Sequence, residues 1–474
     1  MIKKDFPKVH YYDQDFVDIY NRSWAWIQDN WFKGDSENRL KNSFFNHKEN
    51  TSVDLFETCM STFFLVYYNM KYPVAPMLDN FYLLQEENGA IRSNYSVETS
   101  EPVFTEGNPE GASPPLLAWV EYNLYHKVGQ KKRIKEIMPH LERYYTWLDE
   151  TFKDQDSGLY EVPLEATKMT NSPRSKMKFA VDFNSQQALN SLYMSALGDI
   201  LNDKELSFKY KKQYFSLKTR INTLMWNQDD NLYYDLDEDL EQVQVKTAAS
   251  FWPLLAEIPN EARAEGLIEN LKDPDSFGTD NPFPSLAVSE PDFDKKGNGF
   301  CGSVYPFLTF MIIKGLEKYG RYDFARECSI RHMYYILDTF HPDGNKKGTL
   351  WEAYSPISEG PAIWKDENQE NKQLFLTYAA LSTITLMIEN IVGLYISLPR
   401  KTVDWIVPTL ELMGIEDLSL KRNMITILSN KSGRGWEIRL ESEKLYYFTI
   451  DILGEKKKTL PIPSGKCSML IDKL

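Results

Sequence analysis

Long apolar helices recur along most of the chain, and this recurrence constrains the fold more than any other feature. The stretches PPLLAWVEYNLYHKVG, SQQALNSLYMSALGDIL, PFLTFMIIKGLEKYG and FLTYAALSTITLMIENIVG carry the apolar residues typical of one buried helix face. The first opens with a proline pair and is predicted to end at Gly129. The stretches recur at a loose period, with more polar partner helices such as KYKKQYFSLKTRINTLMW between them. Because no strict internal repeat is visible, the pattern predicts a closed barrel of helix pairs rather than a consensus-repeat solenoid.

Long polar connections rich in Pro, Gly and Asp separate these helices. One of them is HPDGNKKGTLWEAYSPISEGPAIWKDENQENKQ, and, like the others, it carries aromatic and apolar residues that favour an ordered loop. Loops of this length inside a compact domain are usually functional or disordered. We therefore predict a mainly α fold, a toroidal helical barrel whose long loops form a pocket on one face.

The residue pattern changes near residue 400, from helical periodicity to strand-like alternation. Alternating or β-branched stretches such as WEIRLES and LYYFTIDIL predict strands, and NKSGRG and GEKKK predict turns between them. We expect two domains. Residues 1–400 form the barrel domain, with residues 1–40 as an N-terminal helical extension, and residues 401–474 form a small β-sheet appendage.

Charge and motif content narrow the classes of function. A net charge of −14 disfavours nucleic acid and anionic membrane surfaces as partners. No secretory leader and no run of about 18 apolar residues is visible, so the expectation is a soluble cytoplasmic protein, or a periplasmic one if a leader has been removed. GNGFCG lacks a preceding strand and the six histidines are scattered singly, so no dinucleotide, metal or other cofactor is expected.

Glu352 stands in one of the long loops, in GTLWEAYSP, with Trp351 and Tyr354 beside it. Apolar neighbours raise the pKa of a carboxyl group by desolvation. Glycoside hydrolysis uses two such groups, one that protonates the leaving oxygen and one that activates water or attacks. Glu352 is therefore a candidate catalytic carboxylate, and an ordinary surface position is the alternative.

Several segments together resemble the trehalase-like and family 63 glycoside hydrolases, including their mannosylglycerate-hydrolase-like relatives. PMLDNFYLLQEENGAI, SPPLLAWVEY, VDFNSQQALNSLYMSAL, VKTAASFWPLLAEIP, GSVYP and LWEAYSP follow the order of the family's motifs, and the resemblance covers the chain from about Leu55 onward. It implies an (α/α)6 barrel, inversion of the anomeric configuration, a carbohydrate partner, and no metal in the chemistry. It also implies that Glu352 is the general base.

The same resemblance places Thr170 where the family carries its general acid. The family's Gly-Met-Asp-Asn-Ser-Pro-Arg motif reads KMTNSPR here, at residues 168–174. A threonine hydroxyl is not a proton donor of useful pKa near neutrality, and losing acid assistance costs roughly 10²–10⁴ in rate. Two more departures point the same way: Cys301 replaces an Arg, and LFLTYA, at residues 374–379, lacks a Trp that the family carries there. Phe56-Glu57-Thr58 stands for a Trp-Asp-Thr, which is a milder change.

A relocated acid would restore the missing function. Asp182 and Glu165 lie nearest in sequence, and both are weighed as replacement acids. The family resemblance implies that Asp182 caps the following helix, where helix amides would hold it ionised. That placement argues against Asp182 as a proton donor.

The candidate sugar contacts share an aromatic or hydrogen-bonding side chain within the motifs: Asn171, Arg174, Trp119, Trp252, Tyr305, Trp351 and Tyr354. Core packing is the alternative for Trp119 and Trp252. Pairing with a nearby carboxylate is the alternative for Arg174.

Two functions stay open at this point. One is an inverting hydrolase of an α-linked glycoside or oligosaccharide, with a relocated acid or a substrate that needs none. The other is a catalytically degenerate sugar-binding module that keeps the barrel without cleaving its ligand. An isomerase or epimerase would share only the fold, and the scattered histidines offer no pair of bases for it. The sugar, the linkage and the oligomeric state are left open.

Overall fold

The computed structural model describes residues 6–35, 40–340, 348–366, 369–407, 411–420, 423–432, 435–444, 446–452, 456–462 and 464–471. Twelve α-helices lie within these ranges. They are α1 (Gln14–Asp29), α2 (Leu55–Leu65), α3 (Val74–Leu83), α4 (Leu117–Val128), α5 (Lys131–Phe152), α6 (Val181–Leu201), α7 (Lys204–Arg220), α8 (Trp252–Leu255), α9 (Glu261–Lys272), α10 (Pro306–Lys318), α11 (Tyr322–Phe340) and α12 (Leu376–Ala380). Shorter 3₁₀ segments lie at Val66–Tyr68, Leu164–Thr167 and Ala248–Phe251, and π-helical turns continue α7 over Ile221–Met225 and α12 over Leu381–Ile391.

Six of the helices form a closed inner ring. Each packs on the next in the order α2, α4, α6, α8, α10 and α12, and α12 packs back on α2. Around this ring, α3, α5, α7 and α11 pack on α2, α4, α6 and α10, and α1 packs on α12 and its π-helical continuation. The fold is the (α/α)6 barrel that the sequence predicted, and α1, from the predicted N-terminal extension, belongs to the outer layer.

Local sequence explains where the inner helices begin and end. The Asp54 side chain caps α2 by accepting a hydrogen bond from the Glu57 N–H group at 2.9 Å. Pro306 opens α10 at the position where a missing N–H group costs nothing. Gly129 follows α4 with a φ of 72°, a left-handed conformation that favours glycine. The predicted helix end at Gly129 is therefore confirmed.

The barrel axis is filled with aromatic side chains and then with paired charges. Phe63, Trp119 and Phe310, from three inner helices, lie with ring centroids 4.5–6.3 Å apart. Nearer the C-terminal ends of these helices, buried Glu389 accepts from Lys127 at 2.8 Å and Lys314 at 2.7 Å. The long loops surround the other end of the axis, beside the N-termini of the inner helices.

Seventeen strands are present in the described residues, and most of the longer ones follow the barrel. They are β1 (Lys8–His10), β2 (Trp31–Phe32), β3 (Phe44–Phe45), β4 (Ser52–Asp54), β5 (Asn94–Ser96), β6 (Trp226–Asn227), β7 (Leu232–Tyr233), β8 (Asp235–Leu236), β9 (Gln242–Val243), β10 (Leu394–Ser397), β11 (Thr402–Val407), β12 (Met413–Leu420), β13 (Asn423–Ser432), β14 (Gly435–Ser442), β15 (Tyr446–Ile452), β16 (Lys456–Ile462) and β17 (Gly465–Ile471).

The C-terminal strands form two sheets, as the predicted β appendage requires. One has the order β1-β12-β13-β14-β17 and the other the order β10-β11-β15-β16. β1 comes from the N-terminus and pairs antiparallel with β12, with Val9 opposite Ile415. The division at residue 400 stays a prediction, and two features cross it, because β10 begins at Leu394 and β1 belongs to the first sheet.

None of the helices in the described ranges combines the length and the apolar character needed to cross a bilayer.

The aromatic packing on the axis makes a testable contribution to stability. Phe310 is fully buried, so we expect Phe310→Ala to lower the free energy of unfolding by about 3–5 kcal/mol. Phe208 on α7 is 71% exposed, and Phe208→Ala is the matched control, with an expected change within about 0.5 kcal/mol. Chemical denaturation measures both, and equal losses would contradict the assignment of Phe310 to the core.

Candidate active site

Arg174 anchors the loop that carries Thr170. Its five N–H groups are all occupied: Asp182 accepts at 2.8 and 2.9 Å, Asp235 accepts twice at 2.7 Å, and the Met169 sulfur lies at 3.7 Å. The Arg174 and Asp182 side chains are fully buried. This guanidinium, a predicted sugar contact, therefore braces the loop against α6 and β8 and has no donor left for a ligand.

Asp182 is a buried ion-pair partner, and its place in the helix differs from the expected cap. Ala180 is the residue at the N-cap of α6, and Asp182 lies in the first turn, where its Oδ1 accepts from the Phe183 N–H group at 2.9 Å. The expectation of an N-cap is therefore corrected. The Asp182 carboxylate has no access to water, and the ion pair with Arg174 supplies the counter-charge and hydrogen bonds that it needs.

Asn171 joins the Thr170 loop to the loop at residues 298–301. Its Nδ2 donates to the Asn298 carbonyl at 2.9 Å, its Oδ1 accepts from the Phe300 N–H group at 2.6 Å, and its own carbonyl accepts from the Cys301 thiol at 3.3 Å. The Asn171 amide thus holds two loops together, while the side chain of Thr170 next to it is exposed.

Glu352 is held by a second loop, at residues 371–373. Its N–H group donates to the Lys372 carbonyl at 2.9 Å, and the Lys372 N–H group donates to Glu352 Oε2 at 3.3 Å. Burial raises the pKa of the Glu352 carboxyl, and the nearby Lys372 charge opposes the shift. The arrangement leaves Glu352 Oε1 without a hydrogen bond from the described residues.

Tyr354 supports this segment from behind. Its side chain is completely buried, and its hydroxyl accepts from the Trp351 N–H group at 3.1 Å. Its backbone exchanges two hydrogen bonds of 2.9 Å with Val304. Tyr354, a predicted sugar contact, therefore aligns the Glu352 segment with the chain that leads to Tyr305.

Glu57 is a carboxyl group in the same site that the sequence analysis did not select. It lies in the first turn of α2, beside Asp54, which is paired with Lys168 at 2.7 Å. Burial raises the pKa of Glu57 to about 8, and the charge of Asp54 adds to the shift. Glu352 raises it further, while Lys372 and Lys168 oppose the rise. These mutual effects place Glu57 and Glu352 in one electrostatic environment.

Aromatic side chains border the two carboxyl groups. Burial raises the pKa of the Tyr378 hydroxyl, and the charges of Glu57 and Glu352 raise it further, so Tyr378 lies near both. Tyr305 stacks on Phe300 with ring centroids 4.1 Å apart. The buried Tyr305 hydroxyl and the Trp351 indole N–H group have no hydrogen-bond partner among the described residues. Flat faces and unused donors beside carboxyl groups suit a polar ligand with C–H faces, such as a sugar.

The other predicted residues lie elsewhere. Trp119 packs in the middle of the barrel axis, and Trp252, which is 2% exposed, lies in the core at the start of α8. Glu165 accepts a hydrogen bond from the Thr105 hydroxyl and packs beside Gly107. The structure thus brings Glu352, Tyr305 and Trp351 together, with Thr170 and Asn171 on the adjoining loop.

Two family models match the chain. The model of the mannosylglycerate hydrolase MGH1-like glycoside hydrolase domain matches residues 85–362, more than half of the chain, and the model of the trehalase C-terminal domain matches residues 393–474. The chain belongs to the MGH1-like glycoside hydrolases. The resemblance that the order of the motifs predicted is confirmed.

Two relatives of this MGH1-like protein differ widely in their distance from it. An uncharacterized protein of Borreliella burgdorferi is 53% identical over 477 residues, covering 100% of both chains. The mannosyl-oligosaccharide glucosidase of Saccharomyces cerevisiae is 20% identical over 236 residues, which are 46% of this chain and 28% of that enzyme.

Solved structures share the barrel fold. The GH63 mannosylglycerate hydrolase of Thermus thermophilus, in complex with glucose, has a TM-score of 0.63 at 18% identity over 77% of this chain and 99% of that chain. The α-L-rhamnosidase of Dictyoglumus thermophilum has a TM-score of 0.65 at 12% identity over 99% of this chain and 50% of that chain.

The described residues contain no group of three His, Cys, Asp or Glu side chains arranged to hold a metal ion. In the site of the MGH1-like protein, Asp54, Glu57 and Glu352 are instead accompanied by the ammonium groups of Lys168 and Lys372.

Glu57 had a signal in the sequence. It falls in the segment that stands for the family's Trp-Asp-Thr, so the position was visible as a departure. Its closeness to Glu352 was not, because 295 residues of chain separate the two and only the closure of the ring brings them together.

The Arg174 brace is expected to be essential for stability. Arg174→Met would leave the Asp182 and Asp235 carboxylates buried without a counter-charge, so the free energy of unfolding should fall by about 3–5 kcal/mol. Lys176→Met removes the same charge from an exposed position on the same loop and should change it by less than about 0.5 kcal/mol. Denaturant titrations of both variants test this, and a mild effect of Arg174→Met would disprove the bracing role.

Proposed function

We propose that this protein hydrolyses an α-linked glycoside or oligosaccharide with inversion at the anomeric carbon, and that Glu352 is its general base. Membership of the MGH1-like glycoside hydrolases supports a glycosidase-type activity. The observation that carries the residue assignment is the half-buried Glu352 carboxyl, presented beside stacked aromatic rings with one oxygen free of hydrogen bonds from the described residues.

The hydrogen bonding of Glu352 supports its role as the general base. The Lys372 N–H group holds Oε2, which leaves Oε1 to accept a proton from water. Because burial raises the pKa of Glu352, its carboxylate is a stronger base than an ordinary glutamate, although the Lys372 charge limits the rise. A water molecule activated by Oε1 would attack the anomeric carbon on the face opposite the leaving oxygen.

The bordering residues divide into two roles in this proposal. Tyr305 and Trp351 offer unused donors to sugar hydroxyls, and the ring of Phe300 extends the apolar wall. Asn171 and Tyr354 position the loops that carry the site through the hydrogen bonds that occupy their polar atoms.

A sugar-binding module without turnover is the second candidate. Thr170, at the position of the family's acid, supports it, because its exposed hydroxyl cannot protonate a leaving group near neutrality. In that case Glu352 would serve as an acceptor for a sugar hydroxyl.

The two candidates differ in turnover. We expect the wild-type protein to hydrolyse at least one of a panel of α-linked disaccharides and α-glycosyl fluorides, and to release the β-anomer first, as followed by proton NMR. Glu352→Gln should reduce kcat by about 10²–10⁴-fold, since water loses its base. Glu359→Gln, at an exposed position seven residues along the same loop, is the matched control and should keep full activity.

Calorimetric binding of a disaccharide by the wild type, without release of product from any member of the panel, would reject hydrolysis in favour of the binding module. Equal activity of Glu352→Gln and Glu359→Gln would reject Glu352 as the base.

A further inference from the structure

We propose that Glu57 is the proton donor of this site and fills the chemical role that Thr170 cannot perform. The inference rests on the proposed hydrolase function. It starts from the position of Glu57 in the first turn of α2, directly after Phe56, whose ring centroid lies 6.4 Å from that of Tyr378. Tyr378 packs on Phe375 at 4.8 Å, and the ammonium group of Lys372, whose N–H group donates to Glu352, lies 5.2 Å over the Phe375 ring.

The hydrogen bonding around α2 separates Glu57 from its neighbour Asp54. Asp54 Oδ1 accepts from the Glu57 N–H group at 2.9 Å, and Asp54 Oδ2 is paired with the Lys168 ammonium at 2.7 Å. Both Asp54 oxygens are therefore engaged. The Glu57 carboxyl has no hydrogen bond or ion pair from the residues that the structure describes, so it is free to meet a ligand.

Electrostatics then favours a proton on Glu57. The charges of Asp54 and Glu352 add to the effect of burial and raise the pKa of Glu57, because a further negative charge in a partly dehydrated space is costly. The positive charges of Lys168 and Lys372 lower the pKa of Glu57, but burial outweighs them and the pKa is raised to about 8. The Tyr378 hydroxyl faces the same carboxyl groups and stays neutral, since its own pKa is raised. A carboxylic acid that keeps its proton at neutral pH and faces a carboxylate base is the division of roles that inverting hydrolysis needs.

The earlier candidates for a relocated acid are less suitable. Asp182 is fully buried in the ion pair with Arg174, so it does not reach a ligand. The Glu165 carboxyl is engaged by the Thr105 hydroxyl, from which it accepts a hydrogen bond. Glu57 combines a raised pKa with a carboxyl group that has no hydrogen bond from the described residues.

In this proposal, two departures from the family pattern compensate for each other. A carboxyl group is missing at Thr170, and at Glu57 a glutamate stands where the resemblance places an aspartate, with a side chain longer by one methylene group. Lys168 stands on the Thr170 loop and pairs with Asp54, so this loop contributes a cation beside Glu57 instead of an acid.

The step balances as follows. Glu57 transfers its proton to the glycosidic oxygen while the bond from this oxygen to the anomeric carbon breaks, and the bonding electrons stay on the leaving oxygen. Water forms the new bond to the anomeric carbon from the opposite face and loses a proton to Glu352. The products are a sugar of inverted configuration and a free alcohol. Proton exchange with solvent then restores neutral Glu57 and ionised Glu352.

The decisive experiment compares two leaving groups in the variant Glu57→Gln, using a disaccharide that the wild type hydrolyses and the corresponding α-glycosyl fluoride. Fluoride departs without protonation, so its hydrolysis should stay within about threefold of wild type, while kcat/KM for the disaccharide should fall about 10²–10⁴-fold. Equal losses on both substrates would overturn the proposal, because a group that only holds the sugar affects both alike.

The pH profile of kcat/KM supplies a readout that a structural role would not change. Activity requires protonated Glu57 and ionised Glu352, so the wild type should lose activity as the pH rises through about 8 and also as it falls through the raised pKa of Glu352. This alkaline limb should appear when the wild type acts on the disaccharide, and it should be absent from the residual disaccharide hydrolysis by Glu57→Gln. On the fluoride it should be absent from both proteins, because fluoride departs without a proton. An alkaline limb that persists in Glu57→Gln would overturn the assignment.

Asp54→Asn provides a second variant that keeps a good helix cap. Removing the Asp54 charge, and freeing Lys168, favours ionised Glu57, so the alkaline limb should move to lower pH while hydrolysis continues. An unmoved limb would contradict the role of Asp54 in keeping Glu57 protonated.

The two proposals fail in different ways. Absence of turnover by the wild type on every disaccharide and fluoride rejects the hydrolase function, and the proton donor with it. Wild-type turnover with an unimpaired Glu57→Gln rejects the proton donor alone and leaves the hydrolase function standing.

Discussion

The packing of α12 against α2 closes the ring, and the site depends on this contact. Phe56 from α2 packs on Phe307 and Tyr378 with centroid distances of 5.3 and 6.4 Å, and Phe375 packs on Tyr378 at 4.8 Å. Burial of these rings supplies a non-directional driving force that joins two parts of the chain more than three hundred residues apart. Glu57 follows Phe56 directly, so closure of the ring also carries it to Glu352.

Charges in the barrel are treated in two different ways. Two clusters away from the site are fully paired: Arg174 donates to two carboxylates and to the Met169 sulfur, and Glu389 lies between two lysines. At the site the pairing is incomplete, because two ammonium groups accompany three carboxyl groups. Complete pairing stabilises ionised groups in a buried place. Incomplete pairing, together with burial, raises the pKa of Glu57, and the proposed mechanism uses this group as the acid and Glu352 as the base.

Some features were predictable from particular residues. The apolar residues spaced three and four apart predicted α6 and α10, and the glycine after α4 predicted where that helix ends. Both signals depend only on residues close in sequence. The motif order predicted the family, and the loop around Trp351 and Glu352 pointed to a carboxyl site. Trp119 and Trp252 were predicted sugar contacts, yet they lie in the core. A tryptophan in the sequence is compatible with a binding site or with a core, and only its neighbours in the fold distinguish the two.

The sequence by itself determined a helical barrel followed by strands, and the family, since these depend on residue identity and short-range spacing. Only the tertiary structure decided that Arg174 is a brace and that the charge of Glu352 acts on Glu57. The physical reason is that ion pairing and the protonation of a carboxyl group depend on the distance to other charges and on exclusion of water, and both arise when remote segments pack together.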